Sequence, residues 1–300
     1  MGIGLHAHEL QTGNFQALFI GFAVKLPIVP LHTWLPDAHV EAPTPVSVVL
    51  AGILLKIGAY GFLRVAYSIF PDGAIEYAWL IALIGVISII YGALNALAMQ
   101  DLKKMVAYSS VSHMGFVLLG IASISSEGIN GAIFQMFSHG ILSAMLFLIA
   151  GVLYDRTHNR IIEHYRGLLN KMPVYTAFVM IAFFASLGLP GFSGFIGELF
   201  TLLGAFGSDL VPNWMAVIGA FGIVLSAAYF LWTLQRMFFG NFWIRKSDNL
   251  VIELNDVDNR EKLMLLILAF ITLLIGIMPA LIFNISQGSV NELVHFIKGF

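Results

Sequence analysis

Gly188-Leu-Pro190-Gly191-Phe-Ser-Gly194-Phe-Ile-Gly197-Glu198 lies inside an apolar run covering 174–207. A span needs about 20 apolar residues, so this run is too long for one straight helix. Proline within a helix removes a hydrogen bond and clashes with the preceding turn. In a bilayer such a break survives only where protein or a wet cavity satisfies the freed backbone groups. A carboxylate, Glu198, follows close behind. The same combination recurs in Lys25-Leu-Pro27-Ile-Val-Pro30, inside the apolar run 15–34. Pro27, Pro30, Pro190, Gly191 and Gly194 therefore mark two broken membrane helices, each within reach of an ionisable group.

Six further apolar runs cover 46–69, 76–99, 104–124, 128–153, 214–240 and 261–283. The 300-residue chain is 59% hydrophobic and only 11% charged. Soluble domains are about 25% charged, so the expectation is an all-α polytopic membrane protein of about eight transmembrane helices. A net charge of −2 points to no nucleic-acid partner. The sequence has no cysteine, which excludes disulfides, thiolate zinc sites and Cys-ligated iron–sulfur clusters. Met1–Asn14 is polar and lacks the basic and apolar regions of a signal peptide.

Basic residues set the orientation. One group of loops holds Lys103, Lys104, Arg156, Arg160, Arg166, Lys171, Arg236, Arg245, Lys246, Arg260 and Lys262. The opposite group, with the C-terminal tail, holds only Arg64 and Lys298. By the positive-inside rule the chain enters its first helix from outside, and the loops 154–173 and 241–260 face the cytoplasm.

Five helices separate the starts of the two broken segments, which therefore run in opposite directions. That is the pattern of an inverted repeat, whose ion sites lie at discontinuous helices near the midplane. Residues 76–240 make one five-helix unit with its fourth helix broken, and 15–69 make the last two helices of an earlier unit. Three helices before residue 15 are missing from that unit, so the sequence reads as part of a longer one. Residues 1–14 are expected to be a polar lead-in, 241–260 a cytoplasmic loop, and 261–300 a final helix and tail.

Five spans carry an ionisable residue near their middle: Lys25, Lys56, His113, His139 and Glu198. Each charge at that depth costs at least about 2.5–3.5 kcal/mol on insertion scales, which makes function the default reading. All five fall in one layer, which suits lateral proton transfer. Lysine and histidine can exchange protons when burial and neighbours tune them; arginine could not, and none occurs in the row. Plainer roles stay open for each alone: a histidine bonding across helices, Lys56 in a structural ion pair, or Glu198 capping the half-helix after Gly194. Other groupings are weaker. His6, His8 and Glu9 form no complete metal set. His32, Asp37, His39 and Glu41 read as a proton-collecting or helix-ending loop in preference to a metal site. Asp101, Lys103 and Lys104 read as a topology-setting turn. Asp248, Glu253, Asp256, Asp258 and Glu261 read as an exposed surface or subunit contact. No nucleotide motif or Ser-His-Asp pattern sits in a plausible frame.

Longer motifs add a resemblance. Lys25-Leu-Pro27-Ile-Val-Pro30-Leu-His32-Thr-Trp34-Leu-Pro36-Asp37-Ala-His39, then Leu50-Ala-Gly52-Ile-Leu-Leu-Lys56, resemble the antiporter-like membrane subunits of respiratory complex I. So does Asp101-Leu-Lys103-Lys104-Met-Val-Ala-Tyr108-Ser109-Ser110-Val-Ser-His113-Met-Gly115. The glutamate at Glu198 resembles the M-type, or chain 4, branch, where other branches carry lysine. The likeness runs from about Phe15 to Phe283. It implies the last eight helices of a fourteen-helix fold with two inverted five-helix repeats. It further implies that Lys25 is the central lysine of a first half-channel and Lys56 the connecting lysine. His113 and His139 would continue the hydrated axis, and Glu198 would end a second half-channel. The family's glutamate partner of Lys25 lies on an earlier helix. The implied activity is proton translocation within NADH:quinone oxidoreductase, in a bacterial inner membrane. NADH, flavin, iron–sulfur clusters and quinone would sit in partner subunits of the complex and no cofactor in this chain. A Na+/H+ antiporter subunit, a hydrogenase-type membrane arm and an inactive truncated fragment are the alternatives.

Overall fold

The computed structural model describes the backbone of residues 2–245 and 254–299, and the side chains of Glu9, 11–245 and 254–299. The side chains of His6 and His8, and all of Lys246, Asp248 and Glu253, lie outside the described residues.

Helix α1 (Gly2–Lys25) ends at the first break, and α2 (Trp34–Glu41) resumes after it. Helix α3 (Thr44–Ile69) follows, with two π-helical turns at Leu50–Leu54 and Phe62–Ala66. A short α4 (Pro71–Glu76) leads into α5 (Ala78–Ala98), α6 (Leu102–Ala122) and α7 (Ser126–Thr157). The second break separates α8 (Pro173–Ser186) from α9 (Ser193–Phe206). The chain continues through α10 (Asn213–Phe238), α11 (Asn259–Ile277) and α12 (Ala280–Lys298).

Among the described residues, α3, α5, α6, α7 and α10 are each long and apolar enough to cross a membrane. Helices α8 and α9 are apolar but each too short to cross alone. Two segments carry helix that their expected outline left unstated. The polar lead-in 1–14 is helical from Gly2, because Glu, Gln and His continue a helix as readily as apolar residues when lipid is not the test. The tail after 283 is also helical: α11 and α12 meet at a 64° bend at Met278-Pro279, where proline cannot continue the preceding helix.

Local chemistry explains the boundaries. Asp101 caps α6 by accepting from the N–H groups of Lys103 at 2.7 Å and Lys104 at 3.2 Å. Ser125 accepts from Gly128 N–H at the start of α7. Asp258 and Glu261 form a reciprocal capping box on α11. Helix α7 ends at His158 in the left-handed region.

Helix α6 is the axis of the molecule, with 94% of its apolar stretch buried. Helices α5 and α7 flank it, and α9 packs on α6 and α7. Small residues allow this closeness: a Cβ on Gly204 of α9 would sit 2.2 Å from Gly128 of α7. Helix α2 lies against α6, and α3 packs against α1 and α7.

Arg156 at the end of α7 grips Glu261 with both terminal guanidinium nitrogens, at 2.9 and 2.7 Å. Neighbouring Asp256 accepts from the N–H groups of Val174 and Tyr175, which open α8. The acidic stretch expected to be an exposed surface or subunit contact is thus, at Asp256, Asp258 and Glu261, a clamp joining α7, α8 and α11. Two short antiparallel strands, β1 (Tyr165–Arg166) and β2 (Trp243–Ile244), close the same side. Burial pushes the Tyr165 phenol up to about 12, against the pull of the Thr157 hydroxyl, so it remains a donor to Asn159 O.

Candidate functional site

The π-helical turn before Lys56 leaves the Ala51 carbonyl within reach, and Lys56 Nζ donates to it. From α3, the same ammonium nitrogen lies 2.7 Å from Nδ1 of His139 on α7. The His139 ring lies 5.5 Å, centroid to centroid, from that of His113 on α6. His113 Nδ1 lies 3.0 Å from Oε1 of Glu198 on α9. Four side chains from four helices thus form one line, with His113, His139 and Glu198 buried and Lys56 half-buried.

The second break positions Glu198. Gly188 has φ +82°, and a Cβ there would lie 2.8 Å from Glu198 Oε2. Only glycine supplies that backbone angle cheaply and leaves room for the carboxylate. Glu198 does not cap α9, whose N-terminus has no side-chain cap bond; it points to His113 instead. Pro190 and Gly191 are exposed, while Gly194 packs so closely on Ala185 that a Cβ would sit 2.2 Å from its carbonyl oxygen.

Lys25 stands apart. It is the last residue of α1, its side chain is exposed, and no described residue bonds to it. The chain's freed groups at this break are met elsewhere: Val29 N–H donates to Ser88 Oγ at 3.0 Å, and Trp34 Nε1–H to Val24 O at 3.0 Å. Pro27 is buried and Pro30 exposed. Beyond the break, His32 and His39 are buried rather than loop-exposed. His39 stacks on Phe147 at 4.3 Å, and His32 meets Tyr91 and Tyr108 edge-on. Asp37 pairs with Lys104 at 3.6 Å, and Lys103 Nζ donates to Ala42 O, so the basic turn also secures α2.

Uncharged neighbours escaped the charge-based reading. Ser109, Gln135, Ser143 and Ser186 line a small cavity of ≈ 10 Å³ with His113, His139, Leu142 and Leu146. His113 Nε2, Gln135 Oε1, Ser186 Oγ and Glu198 Oε2 are buried and have no protein partner among the described residues. Ser109 precedes His113, and Gln135 precedes His139, by one helical turn, and residues so spaced share a face. That spacing was the available signal. Among the described residues no group of three or more His, Asp or Glu side chains is arranged to hold a metal.

The family described as "NADH:quinone oxidoreductase/Mrp antiporter, TM" matches residues 4–226, from α1 into α10. The chain belongs to this family. Its similarity to curated relatives runs nearly end to end on its own side. It is 48% identical to NADH-quinone oxidoreductase subunit M of Rhodobacter capsulatus, over 95% of this chain and 54% of that protein. It is 46% identical to the Rickettsia bellii subunit M, over 97% and 57%. It is 44% identical to NADH-ubiquinone oxidoreductase chain 4 of Marchantia polymorpha, over 93% and 55%. The chain therefore spans about half the length of the curated relatives it matches. Among solved structures, a chain of respiratory complex I from Thermus thermophilus with bound NADH superposes with a TM-score of 0.88 at 33% identity, over 96% of this chain and 60% of that one. A chain of the Mrp complex from Dietzia sp. DQ12-45-1b gives 0.83 at 22% identity, which extends the likeness in fold. The membrane class and the antiporter-like architecture expected from the sequence are those of the family.

Proposed function

We propose that this chain conducts protons sideways through the membrane interior, as part of the membrane arm of a proton-translocating NADH:quinone oxidoreductase. The continuous Lys56–His139–His113–Glu198 line carries the proposal. A proton on Lys56 is 2.7 Å from the Nδ1 lone pair of neutral His139. Transfer leaves a neutral amine and an imidazolium. No hydrogen bond joins the His139 ring to that of His113, 5.5 Å away between centroids, and a water held by Ser109, Gln135, Ser143 or Ser186 in the small cavity they share would bridge the two. His113 then passes its Nδ1 proton to the Glu198 carboxylate at 3.0 Å. Protonated Glu198, beside the break, is the release point toward the outer side. Lys25 would load the row from the first half-channel.

The relatives named above support membership in complex I, with the other membrane-arm subunits as partners and a bacterial inner membrane as the setting. NADH oxidation, flavin, clusters and quinone belong in that scheme to partner subunits, so this chain is a translocating rather than a redox component. Glu198, in place of lysine, favours this reading over a Na+/H+ antiporter subunit. The test places His139→Leu or Glu198→Gln in the assembled complex and follows NADH-driven acidification of inverted membrane vesicles. Loss of acidification by more than about tenfold is expected, the contribution typical of a positioned proton-transfer group. Full coupled pumping in either variant would defeat the assignment.

A further inference from the structure

Where α10 reaches the cytoplasmic side, a groove of ≈ 850 Å³ opens away from the proton row, lined by Glu163, Arg166, Trp232, Arg236, Gly240 and Trp243. The Arg236 guanidinium lies 4.3 Å over the Trp232 ring, and its buried Nε–H has no protein partner among the described residues. A buried, charged donor without an acceptor is costly, so this one is set for an external acceptor. Arg166, opposite Trp243 in the β1–β2 register, is exposed. Gly240, at φ +95°, leaves space beside it: a Cβ there would sit 3.0 Å from Arg166 Nε. Among the described residues, Glu163 is the one carboxylate lining the groove, against two guanidinium groups.

A second groove of ≈ 350 Å³ shares Glu163, Trp232 and Arg236 and continues along Leu94, Leu97 and Ala98 at the end of α5. Leu94 is 49% exposed, and Trp232 and Trp243 are 47% and 52% exposed. Large exposed apolar groups beside two arginines, on the basic side of the chain, belong at the headgroup level of a bilayer.

We propose that the paired grooves hold an anionic phospholipid of the cytoplasmic leaflet, its phosphate between Arg166 and Arg236 and an acyl chain along Leu94 and Leu97. The two surfaces together select this occupant: a phosphate oxygen matches the guanidinium donors, and the adjoining apolar trough has no use for a free inorganic anion. Basic pockets on this side of membrane proteins take such headgroups. The site depends on membrane orientation alone and stands whether or not the buried row conducts protons.

The test reconstitutes the whole chain in nanodiscs with phosphatidylglycerol or phosphatidylcholine brominated on the acyl chain, and reads tryptophan quenching. The share of quenching that Trp232→Phe removes reports the groove. That share should show a preference of at least about fivefold for phosphatidylglycerol. The preference should vanish in Arg166→Gln and in Arg236→Gln, and strengthen in Glu163→Gln. If Arg236→Gln does not fold, the exposed Arg166→Gln and Glu163→Gln variants decide by their opposite signs. Equal quenching by both lipids, or a preference that survives loss of either arginine, overturns the proposal. So does displacement of the phosphatidylglycerol signal by millimolar inorganic phosphate.

Discussion

The two helix breaks share a proline-and-glycine logic but differ in what surrounds their charge. At the second, Glu198 is 1% exposed and meets His113 at 3.0 Å, because α5, α6 and α7 pack as a bundle beside α9. At the first, Lys25 projects from the end of α1 with no bonded partner among the described residues. The backbone is repaired differently at the two breaks: Ser88 of α5 and the Trp34 indole serve the first, and i→i−5 and i→i−3 bonds from Leu189 and Phe192 serve the second. Backbone repair thus comes from the break itself at the second and partly from α5 at the first, whereas a counter-charge is carried only by the helices packed against the break.

That difference can be broken by substitution. His113→Leu should be the most damaging, because it strands a buried carboxylate; a loss of about 3–5 kcal/mol is expected in denaturant unfolding of the chain in micelles. A loss below about 1 kcal/mol would mean that Glu198 does not depend on the bundle. Gly188→Ala comes next: the left-handed angle and the crowding on Glu198 Oε2 together predict about 2–3 kcal/mol on the same scale. Ser88→Ala removes the acceptor for Val29 N–H across the first break and should cost about 1–2 kcal/mol. Lys25→Gln should shift unfolding by less than about 0.5 kcal/mol, since an exposed unpaired side chain leaves nothing behind. A larger loss would place a partner for Lys25 within this chain. In the assembled complex the ranking for proton pumping inverts for this residue, and Lys25→Gln should lower NADH-driven acidification about tenfold or more.

Much of this was legible beforehand, for one reason: ionisable groups and prolines are so costly in an apolar span that each one is a marker. Lys56, His113, His139 and Glu198 were named from depth alone, and the structure brings their side chains together. Depth could not tell that Lys25 would lie on an exposed face, since burial depends on neighbours rather than on distance along a helix. Helix α12 escaped because Asn284, Ser286, Gln287, Asn291 and Glu292 interrupt its apolar content. Such a pattern gives an amphipathic helix, which hydropathy averages away. Gln135 and Ser186 escaped because neutral polar groups carry no insertion penalty large enough to stand out. His39 was read as part of a loop, yet it is fully buried against Phe147, a contact between residues far apart in sequence.

The 32-residue α7 is about 48 Å long, against a hydrocarbon core of about 30 Å. It therefore overshoots the bilayer, and the surplus ends in the Arg156 grip on Glu261. His139 sits on the same uninterrupted rod, about 25 Å from that grip. One continuous helix ties the imidazole to the loop contacts at its far end, so a displacement of the Arg156–Glu261 grip along the rod would carry His139 with it.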